Sequence, residues 1–235
     1  MTAMSKPNTD PDDPHSDKKK IAFVDDHTML RDGLQKLVES QPDLCCYWTA
    51  SNTQDALQQL EQGKPDMLAV DISLPGRNGL ELIKDALALH PDLPILVISM
   101  HDESFYAQRV LKAGARGYVM KDAESTTLLQ AIRNVLEGGR YVSPAMSAQI
   151  MEAFSGRGAA RPVDGVQRLS DREFEVFQLI SEGKSTQQIG DALNISVKTV
   201  EVHRAHIREK LKLEDGASVL RYAVRWAERQ KLGTD

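Results

Sequence analysis

Between residues 20 and 138, short apolar runs alternate with segments in which apolar residues recur every three or four positions. The runs predict buried strands, and recurring positions such as Leu30, Leu34 and Leu37 predict helices between them. Five strands are predicted in alternation with five helices, and the strands lie at 20–26, 44–50, 67–71, 94–99 and 117–121. Such alternation is typical of a parallel sheet that carries helices on both faces.

One of these apolar runs ends abruptly on a carboxylate. The run 67–70 leads directly to Asp71, and Pro75, Gly76 and Gly79 then force an irregular loop. Four further polar residues lie at the ends of predicted strands: Asp25, Asp26, Ser99 and Lys121. Ligands of parallel α/β sheets bind at the carboxyl edge of the strands, so four of the five strands direct polar side chains to one place.

Three carboxylates, a hydroxyl and an amine at one edge indicate a particular chemistry. Carboxylates that converge without a cation repel one another, and Mg²⁺ prefers such hard oxygen ligands. An aspartate beside Mg²⁺ can attack phosphorus and hold it as an acyl phosphate, while an ammonium and a hydroxyl suit the other phosphoryl oxygens. A lone strand-end aspartate is more often a turn former, but the four companions favour Asp71 as a phosphate acceptor.

The chain changes character near its C-terminus, because from Leu169 onward the spacing of apolar residues predicts helices only. Ser170 and Glu173 have the spacing of a capping box, which marks the start of a helix. The elements that follow are a short helix, a turn, a longer helix and a final helix, at 186–193, 194–196, 197–211 and 217–226. Two helices joined by so short a turn fit a helix-turn-helix.

The distribution of charge matters more than its total. The formal net charge of −5 argues weakly against nucleic acid as a ligand, but residues 197–212 carry five basic residues against two acidic ones. In the longer helix an apolar side opposes a side of basic and small residues, which suits insertion into a major groove. Taken alone, this charge pattern is more typical of an ordinary solvated helix.

Residues 20–140 resemble the receiver domain of bacterial two-component response regulators. Four motifs in order carry the resemblance: Val24-Asp25-Asp26, Asp71-Ile-Ser-Leu-Pro75-Gly-Arg-Asn-Gly79, Val-Ile-Ser99 and Ala113-Gly-Ala-Arg-Gly-Tyr118-Val-Met-Lys121-Asp122. The resemblance implies an α/β flavodoxin-like fold with a five-stranded parallel sheet. It also implies that Asp71 accepts a phosphoryl group from a sensor histidine kinase or a small phosphodonor.

The same resemblance implies a cofactor and its ligands. Mg²⁺ would be held by Asp26, Asp71 and the backbone carbonyl of Ser73, with Asp25 assisting. His27, which follows these carboxylates, is expected only to begin a helix.

Three residues are implied to sense the phosphoryl group. Ser99 and Lys121 would grip its oxygens, and Tyr118 matches the switch aromatic of the family, although a half-buried strand aromatic is an open alternative. His101 lies two positions after Ser99, where the family can adjust the lifetime of the phosphoryl group; a plain surface loop residue is the other interpretation.

Residues 166–230 resemble the LuxR-type DNA-binding domain, which is small and all-α. The resemblance lies in Leu169-Ser-Asp-Arg-Glu173-Phe-Glu-Val, Ile180-Ser-Glu-Gly183-Lys-Ser, Gln188-Ile-Gly-Asp-Ala-Leu193 and Ile195-Ser-Val-Lys-Thr199-Val-Glu-Val-His-Arg204. It implies DNA contacts by Ser185, Lys198, Thr199, Glu201, Val202, Arg204, Ala205, Arg208 and Lys210. It implies a dimer surface of Val219, Leu220, Ala223 and Val224. Gly190 departs from the family, which usually has alanine there.

The combination resembles a response regulator of the NarL/FixJ class. Composition predicts a disordered tail (1–19) before the receiver domain (20–140), and a short helix with a flexible linker (141–165) before the DNA-binding domain (166–230), whose helix-turn-helix spans about 185–204. The resemblance implies a cytoplasmic regulator that binds double-stranded DNA, forms a homodimer when active and does not contact a membrane. We expect no enzymatic activity beyond assistance to its own phosphorylation and dephosphorylation.

Two alternatives remain open at the level of sequence. The first is a Mg²⁺-dependent aspartyl-phosphate hydrolase, which also uses a strand-end aspartate. Such enzymes carry the motif Asp-x-Asp, in which the second aspartate acts as acid and base. Here the second position after Asp71 is Ser73. The second alternative keeps the receiver domain, but its C-terminal helices bind protein or RNA.

Overall fold

The computed structural model describes residues 18–75, 78–154 and 165–232. Its N-terminal part contains one sheet of five parallel strands in the order β2-β1-β3-β4-β5. The strands are β1 (Lys19–Val24), β2 (Leu44–Ala50), β3 (Met67–Val70), β4 (Ile95–Ser99) and β5 (Gly117–Met120). The strand order reverses direction between β1 and β3, so the edge above these two strands is where a ligand site is expected.

Helices connect the strands and continue to the C-terminus. The helices of the N-terminal part are α1 (Thr28–Glu39), α2 (Thr53–Gln62), α3 (Gly79–Leu89), α4 (Glu103–Lys112) and α5 (Ser125–Leu136). The later helices are α6 (Pro144–Phe154), a short 3-10 helix (Gly165–Arg168), α7 (Asp171–Ser181), α8 (Thr186–Leu193), α9 (Val197–Lys210) and α10 (Gly216–Leu232). None of the described helices is long and apolar enough to cross a bilayer.

Both faces of the sheet are buried, because successive residues of a strand point to opposite faces. Ile21 and Phe23 of β1 belong to a cluster that includes α1 and α5. Ala22 and Val24 belong to a second cluster that includes α2, α3 and α4. The second cluster continues into the C-terminal helices, where it includes Phe174 of α7. One apolar core therefore joins the two parts of the chain.

Side-chain caps set the starts of several helices. Six N-cap side chains each accept a hydrogen bond from a first-turn backbone N–H: Asn52, Asn78, Asp102, Ser170, Ser185 and Ser196. The capping box predicted for Ser170 and Glu173 is present, and Ser185 forms a second one with Gln188.

The structure confirms the fold predicted from sequence and corrects it in two places. β1 includes Lys19, which pairs with Leu44, so the predicted tail 1–19 is too long by at least this residue. Helix α10 continues to Leu232, beyond the predicted end at 226, because no glycine or proline interrupts the chain after Gly216 until Gly233. Residues 1–17 of the predicted tail and residues 155–164 of the predicted linker lie outside the described residues.

Candidate functional site

The ends of β1 and β3 bring two buried carboxylates together. The backbone N–H of Asp71 donates to the carbonyl of Val24 at 2.8 Å, and that of Asp25 donates to Ala50 at 3.1 Å. These bonds extend the parallel ladders by one residue and hold the backbone of Asp71 and Asp25 in place. Asp71 and Asp25 are buried, whereas Asp26 faces solvent.

Lys121, directly after β5, lies between the two buried carboxylates. Its Nζ is 2.7 Å from Asp25 Oδ2 and 2.8 Å from Asp71 Oδ2. Burial lowers the pKa of Lys121, but the hydrogen bonds to Asp25 and Asp71 outweigh burial and raise it. The ammonium is therefore charged and compensates part of the charge of two carboxylates that lie outside bulk water.

The remaining oxygen of Asp71 identifies the place for a ligand. Asp71 Oδ1 is buried and has no hydrogen-bond partner among the described residues. An unpaired buried carboxylate oxygen is costly, and such atoms occur where a ligand or ion completes the site. Ligand atoms of Asp25, Asp26, His27 and Asp71 lie within 4.8 Å of one another. Three carboxylates at this spacing fit a magnesium ion.

His27 belongs to this cluster although sequence reasoning treated it only as a helix start. It is the N-cap of α1, as expected, but its side chain forms no cap hydrogen bond. Instead its Nδ1 lies 2.8 Å from Asp26 Oδ1 and 3.3 Å from Asp25 Oδ1. Its position directly after the paired carboxylates was the signal that could have identified it.

Two of the three predicted sensing residues, Ser99 and Tyr118, contact the loop after β4. Ser99 is fully buried, and its Oγ accepts a hydrogen bond from the backbone N–H of His101 at 3.2 Å. Tyr118 is also fully buried, and its hydroxyl donates to the carbonyl oxygen of His101 at 2.6 Å. Burial raises the pKa of Tyr118, against a smaller opposing effect of a hydrogen bond with Ser99. The alternative of a half-buried aromatic is therefore wrong, while a switch role for Tyr118 stays a prediction.

The side chain of His101 links this loop to the loop after β3. His101 Nε2 lies 2.8 Å from Ser73 Oγ. Burial lowers the pKa of His101, although the negative charge of Asp71 opposes that change. His101 is therefore half-buried and bonded, and is not the plain surface loop residue of the second interpretation.

Gly79 lets the chain turn tightly behind Asp71. A Cβ atom at this position would overlap the backbone carbonyl oxygen of Asp71 and would lie 2.9 Å from Ile72 Cα. Since these are backbone atoms, only glycine fits without a shift of the loop. The sequence predicted an irregular loop here, and the close approach supplies its reason.

In the C-terminal domain, α8 and α9 form the predicted helix-turn-helix. Asn194 ends α8 in the left-handed conformation with φ of 52°, and Ser196 caps α9. Val200 and Ile207 face the core. The outward side of α9 exposes Lys198, Glu201, Val202, Ala205 and Arg208, whereas Thr199 and Arg204 are half-buried at its flanks. Lys210 is also exposed, but its Nζ is paired with Glu173 Oε2 of α7 at 2.6 Å.

Five more residues were predicted from the resemblance to contact DNA or a second copy. Ser185 is exposed at the start of α8. Val219 and Ala223 lie in the core of their own domain, at 1% and 0% exposure. Because buried side chains cannot touch a second copy, the predicted dimer surface depends on the remaining two residues of α10, the exposed Leu220 and the half-buried Val224.

A parallel sheet with a carboxylate and lysine site at one edge, followed by a helix-turn-helix with an exposed recognition side, defines a two-domain response regulator. The response regulator receiver domain family matches residues 21–133, and the luxR family of bacterial regulatory proteins matches residues 167–223. The chain belongs to the response regulators that join these two domains.

Individual relatives span both domains. The chain is 35% identical over 210 residues to the oxygen regulatory protein NreC of Staphylococcus carnosus (strain TM300), covering 88% of this chain and 97% of that protein. It is 31% identical over 214 residues to the transcriptional regulatory protein DegU of Brevibacillus brevis, covering 86% and 91%. RcsB of Salmonella enterica serovar Typhimurium, solved on promoter rprA in the presence of the phosphomimetic BeF3−, is similar with a TM-score of 0.59 at 25% identity, covering 88% and 98%.

Proposed function

We propose that this chain is a transcriptional regulator whose DNA binding is controlled by phosphorylation of Asp71. A sensor histidine kinase or a small phosphodonor supplies the phosphoryl group to the carboxylate. Asp25, Asp26, Asp71 and the backbone carbonyl of Ser73 would hold Mg²⁺, which, when bound, compensates the negative charge of carboxylates and phosphoryl oxygens. The phosphorylated receiver domain then controls dimerisation and DNA binding by the C-terminal domain.

The unpaired oxygen of Asp71 is the observation that carries this proposal. Lys121 holds Oδ2 at 2.8 Å, so the carboxylate is oriented while Oδ1 has no partner among the described residues. An oriented carboxylate is a competent nucleophile once the charge around it is compensated. Lys121 supplies part of that compensation. Its ammonium is also placed to stabilise the negative charge that develops on the phosphoryl oxygens during transfer.

The exposed side of α9 supports DNA as the partner of the C-terminal domain. Lys198 and Arg208 are exposed along it, beside small or apolar side chains that can approach base edges. RcsB, a related protein, has been solved as two dimers on two parallel DNAs. For this chain we infer the same arrangement in outline, in which two copies present two α9 helices to half-sites one DNA turn apart.

Phosphorylation of the full chain by an acyl-phosphate donor with Mg²⁺ tests the proposal. Intact-mass measurement should detect one added phosphoryl group in the parent protein and none in Asp71→Asn. Asp92→Asn is the matched control, because Asp92 is an exposed aspartate in the turn before β4, at the opposite edge of the sheet. Equal phosphorylation of Asp71→Asn and the parent would refute the assignment.

The same preparation separates the two alternatives. A hydrolase would turn over a panel of phosphomonoesters, whereas we expect stoichiometric phosphorylation without turnover. Selection of duplex DNA with and without phosphodonor should recover sequences that bind the parent more tightly after phosphorylation. Recovery of RNA or protein alone would instead favour the second alternative.

A further inference from the structure

The C-terminal domain is docked on α4 of the receiver domain through contacts that no motif of the sequence indicated. Tyr106 of α4 is fully buried, and its hydroxyl donates to Gln178 Oε1 of α7 at 2.6 Å. The Tyr106 ring meets the Phe174 ring of α7 edge to face, with centroids 5.3 Å apart. Such a buried, hydrogen-bonded aromatic contributes both packing and specificity to an interface.

Two further residues of α4 extend the same contact. The guanidinium of Arg109 lies 4.0 Å from the centroid of Phe174 and donates to the carbonyl oxygens of Val166 and Leu169 at 2.8 and 3.0 Å. The ring of Phe105 lies 4.9 Å from that of Trp226 in α10. Docking therefore involves the first helix of the C-terminal domain and the last, which carries the predicted dimer surface.

His101 lies between this docking contact and the phosphate acceptor. Its backbone N–H and carbonyl bond Ser99 and Tyr118, and its Nε2 bonds Ser73. Its ring packs on the Tyr106 ring with centroids 4.6 Å apart. The side chain of one residue thus touches both the loop after Asp71 and the buried tyrosine that holds α7.

A phosphoryl group on Asp71 changes the hydrogen bonds that Ser99 can form. Its oxygens are strong hydrogen-bond acceptors, and the hydroxyl of Ser99 is a donor that can turn toward them. Such a turn removes the acceptor from the N–H of His101 and leaves that N–H to find another partner. Since packed interiors transmit such shifts to their neighbours, the His101 ring and with it Tyr106 must respond.

We propose that His101 is a positioning residue that couples phosphorylation of Asp71 to the docking of the C-terminal domain, through the contact of its ring with Tyr106. This coupling rests on the proposed function, because it needs a phosphoryl group on Asp71. The outward side of α9 is exposed while the domain is docked. The coupling therefore acts on where α7 and α10 are held, rather than by uncovering the recognition helix.

Trp226 provides a reporter for docking in the full-length chain. The sequence contains two tryptophans, Trp48 in β2 and Trp226, so Trp48→Phe leaves only the one that contacts Phe105. The experiment adds an acyl-phosphate donor with Mg²⁺ and measures two quantities on the same sample: the phosphoryl groups bound, by intact mass, and the change in Trp226 emission. The emission change per bound phosphoryl group is the coupling.

Three variants in this background test the role of the His101 ring. His101→Ala keeps both backbone bonds and removes the ring, and it should lose most of the emission change per phosphoryl group. His101→Phe keeps a ring for Tyr106 but loses the bond to Ser73, and it should restore a large part of that change. Tyr106→Phe removes only the hydroxyl bond to Gln178, and it should weaken docking about two- to tenfold before any phosphorylation.

Tyr47→Phe is the matched control, since Tyr47 is an exposed tyrosine on β2, away from the docking contact. An undiminished emission change per phosphoryl group in His101→Ala would overturn the proposed coupling. So would His101→Phe behaving as His101→Ala does, because the ring would then not be the carrier. If the parent protein binds no phosphoryl group at all, the proposed function itself fails and the coupling fails with it.

Discussion

The two functional regions of this chain are built in opposite ways. At the edge of the sheet, Asp25, Asp71 and Lys121 are buried and bonded to one another before any ligand arrives. On the outward side of α9, Lys198 and Arg208 are exposed. A phosphoryl site gains from fixed, partly dry geometry, whereas a DNA surface gains from charges that stay hydrated until they displace counterions.

This difference predicts different responses to substitution. The buried edge should be sensitive to changes of shape, even those that leave every charged group in place. The exposed helix α9 should tolerate changes of side-chain shape. Its affinity for DNA should instead respond to changes of charge, to an extent that depends on the salt concentration. Contacts between the two domains should fall between these extremes, since they combine buried packing with hydrogen bonds at the surface of each domain.

The largest effect is expected for Gly79→Ala. The added Cβ would overlap the carbonyl oxygen of Asp71, so the loop that follows Asp71 must shift. A misplacement of about 1 Å lowers the rate of a positioned reaction by about 100-fold. The rate of phosphorylation by an acyl-phosphate donor measures the change.

Gly33→Ala is the matched control for that substitution. Gly33 lies inside α1, and a Cβ there meets nothing within 4 Å. Alanine should therefore leave phosphorylation unchanged and stabilise the chain by about 0.5–1 kcal/mol in thermal unfolding. Equal loss of phosphorylation in both variants would mean that the shape of the loop is not what matters.

The same contrast explains what the sequence could predict. Parallel strands end at one edge, so Asp25, Asp71, Ser99 and Lys121 could be grouped without any coordinates. The outward side of α9 could be predicted from helical spacing and from the resemblance. The burial of Val219 and Ala223 in the core of their own domain could not.

The contacts of Tyr106 and Gln178 could not be predicted, because each residue alone is typical of an ordinary amphipathic helix. The two residues lie 72 positions apart in the chain, and no local sequence pattern encodes such a pairing. Gly190 is similar: a Cβ there would lie 2.9 Å from the carbonyl oxygen of Ile195. The departure from alanine therefore accompanies a close approach of the turn, which the sequence could not display.

Asn78→Asp should loosen the docking of the two domains by about 1–3 kcal/mol. Asn78 Oδ1 caps α3 by accepting from the N–H of Glu81, and its Nδ2 donates to Glu175 Oε1 of α7 in a buried bond of 2.9 Å. Aspartate can still cap the helix, but it removes the donor and places a second carboxylate against Glu175. The emission of Trp226 in the Trp48→Phe background measures docking.

Asn52→Asp controls for the change of cap. Asn52 caps α2 in the same way, by accepting from the N–H of Asp55 at 2.9 Å, but it is half-buried and its side chain bonds only nearby residues. It should leave docking unchanged. If both variants loosened docking alike, the contact between Asn78 and Glu175 would not be responsible.

A smaller effect is expected when single charges of α9 are removed. Lys198→Gln and Arg208→Gln should each lower the slope of log affinity against log salt by about 0.9, because each releases about one counterion fewer from duplex DNA. A duplex of arbitrary sequence suffices for the titration. Lys36→Gln, an exposed lysine of α1, should leave the slope unaltered, and unchanged slopes in both α9 variants would exclude these residues from the DNA surface.

The smallest effect is a dependence of docking on pH through Glu175. Burial raises the pKa of the Glu175 carboxyl above its ordinary value of 4.5, although the ion pair with Arg172 and the hydrogen bond from Asn78 oppose burial. In the window between the ordinary and the raised pKa, the docked form therefore binds more protons than the released form. The sign follows from linkage: docking strengthens as the pH falls through this window and weakens as the pH rises through it.

Glu175→Gln isolates this contribution. Glutamine keeps an oxygen that can accept from Asn78 but cannot ionise, so docking of this variant should lose the part of the pH dependence that Glu175 supplies. Trp226 emission in the Trp48→Phe background, followed from neutral to mildly acidic pH, gives the comparison. Two outcomes would contradict this prediction: docking of the parent that weakens on acidification, or a pH dependence that Glu175→Gln leaves intact. Either would show that burial of the Glu175 carboxyl at the domain contact does not link docking to pH.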